Sequence, residues 1–572
     1  MSNKTLSTSP NQLGSGNLPS GYDEINFRME NGNWTKEIKL PLEPTDKNKV
    51  NIISNAAYTA YLDTTEVDVP LKSIPIKTGS SFTLVYQANI SKWSISGPGI
   101  SYLSPNSVGD TIPEKPDNIT FYTLADHNWV PAVTLPAKAN DGAYIVVRSR
   151  AAWNAKVNTT NMLYASTTTI FTNDIYTFKY LAAFNGWVID SAPVRTLFAD
   201  NINVQMPKPT SQFTEVKFTS QHWIELIRLP ENAGDRDKVS IKSSSIFYAA
   251  IDVSNVNMPG AMYLYNGDQY DFIYIAENKK WQLMKHPDSR FYAYELPNGR
   301  LGQLGRPRTL IHAGVGNPHS QLELPGNQPA GSRVVITSDA AKDFTVLADG
   351  KTYPVSNGEI VAFKVDENKA WSKETITIDL LLLYSDKAAA RMGEDTMRNR
   401  LIEGFNMTNE ALENSGANFR YRMRGLRQVV AKDHWKELID PLRELRGDPT
   451  VQGWRDSLKA DGIYYEGTED GCGLAWLRSS AYNMVATGSI NCGTTVMRHE
   501  LGHNMGVNHA DTGSSYNQGY SLVRSIMGGN TIPYYSTPHR YTQDYGIPMG
   551  IVDKVDAVRA MNEFSATVAA YR

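Results

Sequence analysis

The dipeptide Leu-Pro recurs at 40–41, 135–136, 229–230 and 324–325, so a period of 94 or 95 residues runs through the first two-thirds of this 572-residue chain. A serine follows each proline by 13 residues, at Ser54, Ser149, Ser243 and Ser338. Ahead of each serine stands an alternating or apolar stretch: KVNII at 49–53, AYIVV at 143–147, KVSIK at 238–242 and RVVIT at 333–337. A tryptophan closes each unit, at Trp93, Trp187, Trp281 and Trp371. Trp34, Trp129 and Trp223 mark the start of the first three units, and the fourth lacks an equivalent. A fixed long period is the signature of tandem domains. Period-2 alternation broken by Gly, Asn, Asp and Pro predicts strands, and here small antiparallel sandwiches or barrels. The tryptophans are expected to fill cores rather than bind ligands.

These marks divide the chain into a disordered lead at 1–21, β repeats at 22–115, 116–210, 211–304 and 305–373 (the last one shorter), and a final domain at 374–572. Linkers are expected near 105–118 and 206–209. The lead contains no apolar stretch of the kind a secretory signal needs. No apolar run approaches the length of a membrane span. A net charge of −3 gives no reason to expect nucleic acid as a partner.

The final domain carries a different kind of pattern. Residues 499–509 read HELGHNMGVNH. Positions i and i+4 of a helix lie one above the other, so His499 and His503 can aim two imidazoles at one metal ion. Glu500 stands beside them as a candidate base. Gly506 can take the left-handed conformation that ends the helix and swings His509 back as a third ligand. Three imidazoles leave one tetrahedral position open, as a catalytic Zn2+ site does.

The motif H-E-x-x-H-x-x-G-x-x-H resembles that of the metzincin zinc metallopeptidases. Within that clan, the stretch 375–572 is similar to the reprolysin-like, or adamalysin-like, enzymes. The resemblance implies an α/β catalytic domain behind the all-β repeats. Its opening strand is expected at 377–384, helices at 396–414 and 451–460, and a further strand at 462–465. Met527, in Ser525-Ile-Met-Gly528, matches the methionine turn beneath the zinc ligands. Gly473, Leu474, Ala475 and Trp476 match the edge strand that binds extended substrate. The segment 535–538 resembles the stretch after the turn. Two departures are visible: Asp511 follows His509 by two residues instead of one, and Gly529 stands where related groups place a zinc-reaching tyrosine. Neither Tyr534 nor Tyr535 is assigned as a ligand.

The chain's two cysteines, Cys472 and Cys492, both fall just ahead of the motif. Their confinement to one domain suggests a disulfide and an oxidising destination; two buried thiols are the alternative. The expected function is a secreted zinc endopeptidase, by a route unknown, that cleaves protein substrates. Its repeats would direct it to a surface, a glycan or a protein. The alternative is an adhesin or binding protein with a vestigial peptidase domain. A fragment from about residue 375 is expected to fold and cleave small peptides, although the fourth unit runs into it with almost no linker.

Overall fold

This computed structural model describes residues 4–69, 71, 73–114, 118–511 and 515–572. The chain forms two compact units. One comprises 1–196, 208–215 and 232–238; the other comprises 197–207, 216–231 and 239–572.

In the first repeat, a five-stranded sheet orders its strands Thr5–Thr8, Glu24–Met29, Lys49–Ser54, Ser81–Gln87 and Lys92–Ser96. A three-stranded sheet of Glu37–Ile38, Ala60–Asp63 and Ser73–Ile76 belongs to the same repeat. The other three repeats each have the same five-plus-three arrangement. The expected tandem sandwiches are therefore present, but they are not purely antiparallel. Glu24–Met29 pairs in parallel with Lys49–Ser54, and Glu37–Ile38 in parallel with Ala60–Asp63. From Glu24–Met29 to Ala60–Asp63 the chain alternates between the sheets on successive strands, so these neighbours within one sheet return in the same direction. A parallel pair needs such a crossover, and here the strand of the opposite sheet supplies it.

The lead is ordered from residue 4 onward, which corrects the expectation for it. Thr5–Thr8 pairs in parallel with the Glu24–Met29 strand, from Thr5 opposite Glu24 to Thr8 opposite Phe27. Leu6 packs on the core of that repeat and Thr8 is buried. A short helix, Pro10–Leu13, follows and ends at Gly14, whose φ of 69° is left-handed. A Cβ on Gly16 would lie 1.8 Å from the Glu37 carbonyl oxygen, so only glycine lets the lead approach that strand. The same device recurs at Ile100–Leu103 followed by the helix Pro105–Val108. Residues 105–108, expected as linker, are thus part of the second repeat. Val194–Phe198 and Asp288–Tyr292 occupy the equivalent place in the third and fourth. Each repeat therefore begins earlier than its apolar pattern suggests. The boundary expected at 115/116 lies outside the described residues.

The recurring sequence marks interlock in space. Trp187, Trp281 and Trp371 are buried. Their indole N–H groups donate to the carbonyls of Pro136, Pro230 and Pro325, each at 2.8 Å. The serine Oγ atoms of Ser149, Ser243 and Ser338 accept the N–H two residues further on, the turn chemistry hydroxyls favour at strand ends.

The final domain is built on a sheet ordered Phe419–Val429, Ile376–Ser385, Gly462–Gly467, Val485–Ser489 and Gly473–Ala475. The first four strands run parallel and the outer one antiparallel. Ile376–Ser385 is covered on both faces: Ile378, Leu380, Leu382 and Tyr384 point into one core, Leu381 and Leu383 into the other. Such two-sided burial is why the strand reads as a continuous apolar run. The helix Glu394–Ser415 buries Met397, Leu401, Phe405 and Leu412 along one stripe. At Gly404 a Cβ would sit 3.2 Å from both the Met497 Cε and the Thr494 carbonyl, so glycine lets this helix lie close against Val496–Asn504. Among the described residues no helix is long and apolar enough to cross a membrane.

Candidate active site

His499, Glu500 and His503 stand on the helix Val496–Asn504, whose Met497, Leu501 and Met505 side reaches the core. Gly506, at φ 92°, adopts the left-handed region just past the helix end. Its N–H closes the turn onto the His503 carbonyl at 2.8 Å. The reversed chain then brings His509 back. The Nε2 atom of His509 lies 3.0 Å from that of His499 and 3.1 Å from that of His503.

Carbonyl groups behind the rings fix this convergence. The Nδ1–H of His499 donates to the Ile526 carbonyl at 2.9 Å, and that of His503 to the Val507 carbonyl at 2.8 Å. Each bond holds the ring as the tautomer with a bare Nε2. Burial pushes the His499 imidazolium down and that of His503 down to about 4, so both stay neutral at physiological pH. Neutral nitrogen lone pairs aimed at one another repel unless a cation lies between them. The donor set therefore fits a metal ion, and these three histidines are grouped as metal ligands would be. Three imidazoles suit zinc.

Met527 is buried, and a Cβ on Gly502 would meet its Sδ at 2.7 Å, so the thioether lies directly against the ligand helix. The turn also reaches the ligands through its backbone, because Ile526 orients His499 and Ala510 N–H donates to the Met527 carbonyl at 3.0 Å. Tyr535 is buried beneath the same helix, and its hydroxyl donates to the Arg498 carbonyl. Asp511 accepts from the Ser521 hydroxyl at 2.8 Å.

Glu500 is 6% exposed, and burial alone pushes its carboxyl up to about 8. It faces the outer strand. A Cβ on Gly473 would fall 2.3 Å from the Glu500 Oε1 and 2.6 Å from the Val496 Cγ1. Leu474 opposes Thr487 in the antiparallel pair, and the Cys472 carbonyl accepts from Ser489 N–H at 3.0 Å. By the alternation of such pairs, the backbone groups of Gly473 and Ala475 point to the open edge. The strand ends at Ala475, one residue short of the expected 473–476. The Trp476 carbonyl accepts from Asn504 Nδ2 at 2.9 Å, and Arg446 covers its ring. A Cys472–Cys492 disulfide, spanning 20 residues, joins the start of this strand to the loop before the ligand helix. The approach of Gly473 to Glu500 carries no sequence signal, since glycines are frequent in this chain.

The description "Metalloprotease StcE, beta-sandwich domain" matches residues 22–97, 117–191, 211–285 and 307–375. The description "Metallo-peptidase family M12" matches 374–545. A peptidyl-Asp metalloendopeptidase of Pseudomonas aeruginosa is 25% identical over 244 residues, which cover 34% of this chain. The match spans 40% of that relative's length. A solved chain from work titled "Structure of a chaperone-substrate complex" is 32% identical, with a TM-score of 0.86, over 99% of this chain and 100% of that one. Four sandwiches of one type followed by a domain whose histidines converge behind a helical base place the protein among metzincin-like metallopeptidases. The chain thus belongs to the M12 metallopeptidases that carry StcE-type β-sandwich domains.

Proposed function

We propose that the chain is a secreted zinc endopeptidase that hydrolyses extended protein segments. The observation that carries this reading is the convergence of three histidines, with the His509 Nε2 3.0 Å from that of His499 and 3.1 Å from that of His503, beside a buried carboxyl and an open sheet edge. His499, His503 and His509 would hold the ion. A zinc ion bound there supplies Lewis-acid polarisation of a carbonyl and makes water more acidic. Glu500, whose carboxylate stands beside the ligand histidines, accepts a proton from the attacking water and delivers it to the departing amine. The outward N–H and C=O groups of Gly473 and Ala475 hold the substrate as an added strand. Met527 contributes a floor and Cys472–Cys492 fixes the strand's start. An exposed disulfide suits an oxidising, extracellular setting. The repeats serve as binding modules that concentrate the enzyme on its target.

Metal analysis combined with cleavage of casein, an unstructured protein, tests the reading. Purified protein should contain one zinc per chain and cleave casein. Glu500→Gln should keep the metal and lose roughly 10²–10⁴-fold in rate, while His503→Ala should lose both. A fully active Glu500→Gln protein would sink the assignment.

A further inference from the structure

We propose that the seam where the third and fourth repeats meet the catalytic domain binds a small, multiply charged oxyanion, a molecule carrying several phosphate or sulfate groups. This goes beyond the catalytic reading and does not depend on it. At the seam Gln543 Nε2 donates to the Met284 carbonyl at 3.3 Å. A cavity of about 560 Å³ opens beside that contact.

The cavity walls are of one sign. Lys285 of the third repeat, Arg308, Arg333 and Lys364 of the fourth and Arg540 of the catalytic domain face a single carboxylate, Glu413. Glu413 is already shared by Arg308, Arg333 and Arg420. Arg308 also pairs with Asp288 at 2.8 Å and Arg333 with Glu374 at 2.5 Å, so those two charges are met. The other three are not neutralised. Lys364 stands 3.9 Å from Glu374, which Arg333 already holds. Among the described residues neither Lys285 nor Arg540 enters an ion pair. An adjoining cavity shares Arg540 and brings in Asp556 and Glu563. Asp556 accepts from Arg559 N–H at the start of the helix Ala557–Val568, and Glu563 pairs with the Arg559 guanidinium at 3.0 Å. Both are committed away from Arg540.

Arg540 is the centre of the site. Its Nε donates to the Asn414 carbonyl at 3.0 Å, at the end of the helix Glu394–Ser415. A helix end carries only about half a negative charge, so the guanidinium stays largely unmatched. Burial pushes its pKa down, and a bound anion would offset that cost. Gly416, at φ 80°, leaves room for the head group: a Cβ there would lie 2.9 Å from Nη2. The two Nη atoms have no protein partner, and the side chain lines the cavity. A guanidinium fork fits an oxyanion through two parallel bonds, and lysines add point charges. A cleft lined by one sign of charge concentrates its field. A lone carboxylate would answer one of the three cations, whereas a ligand with several oxyanion groups answers Lys285, Lys364 and Arg540 together.

The test titrates the full-length protein by calorimetry with myo-inositol hexakisphosphate and with myo-inositol hexakissulfate, at an ionic strength held constant with sodium chloride. At least one should bind and raise the melting temperature; binding of one alone supports the site and tells which ester it takes. The double variant Lys285→Gln, Lys364→Gln should weaken binding roughly tenfold or more, with a native melting temperature when unliganded. Arg540→Gln should weaken it by a similar factor, and the double variant keeps the test independent of the helix end that Arg540 also caps. Casein hydrolysis should be unchanged in the double variant, and its rate reports on the catalytic reading separately. Binding should persist in His503→Ala, which separates this site from the histidine cluster. Binding of neither ester, binding untouched by the double variant, or binding lost with His503→Ala would overturn the proposal.

Discussion

Glu413 accepts from Arg308 and Arg333 of the fourth repeat and from Arg420 of the catalytic domain, so one carboxylate ties Arg333 to Arg420. All of these groups are largely buried. Removing the carboxylate would leave the buried Arg420 without its ion-pair partner, while Arg308 keeps Asp288 and Arg333 keeps Glu374. We expect Glu413→Gln to destabilise this part of the molecule by about 3 kcal/mol, read as a lower urea midpoint. A fragment starting near residue 375 should then be poorly folded, while one starting near 286 should fold and cleave peptides. This bears on the expectation from sequence that a fragment from about residue 375 folds, with the fourth unit running into it almost without a linker and its removal costing stability. Equal stability of the two fragments would contradict the clamp.

The closeness of Gly473 to Glu500 makes a second prediction. Replacing glycine by alanine restricts the unfolded chain and stabilises a protein where the site has room, but strains the folded state where it has none, and here its Cβ would come within 2.3 Å of Oε1. Gly473→Ala should lower kcat/KM by roughly tenfold or more by displacing the base or the strand. Metal content should stay at the native level. An unchanged kcat/KM would show that the outer strand moves freely relative to the base.

Opening the Cys472–Cys492 bond should cost about 3 kcal/mol by loop-closure entropy. Because the bond fixes the beginning of Gly473–Ala475, activity should fall under mild reduction before the fold melts. Paired assays of casein cleavage and melting temperature, with and without a phosphine reductant, check the order of the two losses.

Asp237 makes a prediction about pH. It is fully buried and accepts from Thr167 N–H, the Thr167 hydroxyl and Gly234 N–H, yet burial pushes its carboxyl up to about 6 from 3.8. The folded state therefore holds this proton more tightly than the unfolded state does. Its contribution to stability is complete below about pH 4 and is lost as pH rises towards 6, a change of roughly 3 kcal/mol. Asp237→Asn should flatten that part of the stability profile. Urea midpoints of both proteins at pH 4 and pH 6.5 measure the difference.

Much of this architecture was legible in the sequence. The Leu-Pro and Trp marks recur because each pair touches in a folded repeat, as the Trp187 indole touches the Pro136 carbonyl. The 499–509 motif could be read because helix spacing and one left-handed glycine dictate where its imidazoles go. Other features left no local trace. Thr5–Thr8 lacks an apolar period, since it gains its place by completing a sheet through backbone bonds. The parallel pairing depends on the chain alternating between sheets, which no single strand encodes. The Trp476 carbonyl bonds to Asn504, a contact 28 residues away that no local pattern marks.

The early start of each repeat bears on how such an array can be duplicated or cut. Ile100–Leu103 is the outer strand beside Ile119–Leu124. A module excised at residue 116 would leave that strand behind and bare the hydrogen-bonding edge of its neighbour. Bare edges recruit other chains. The transferable unit is therefore the stretch that begins with its own outer strand, near residues 4, 99, 193 and 287. Recombination that respected the tryptophans alone would yield soluble-looking sequences that aggregate.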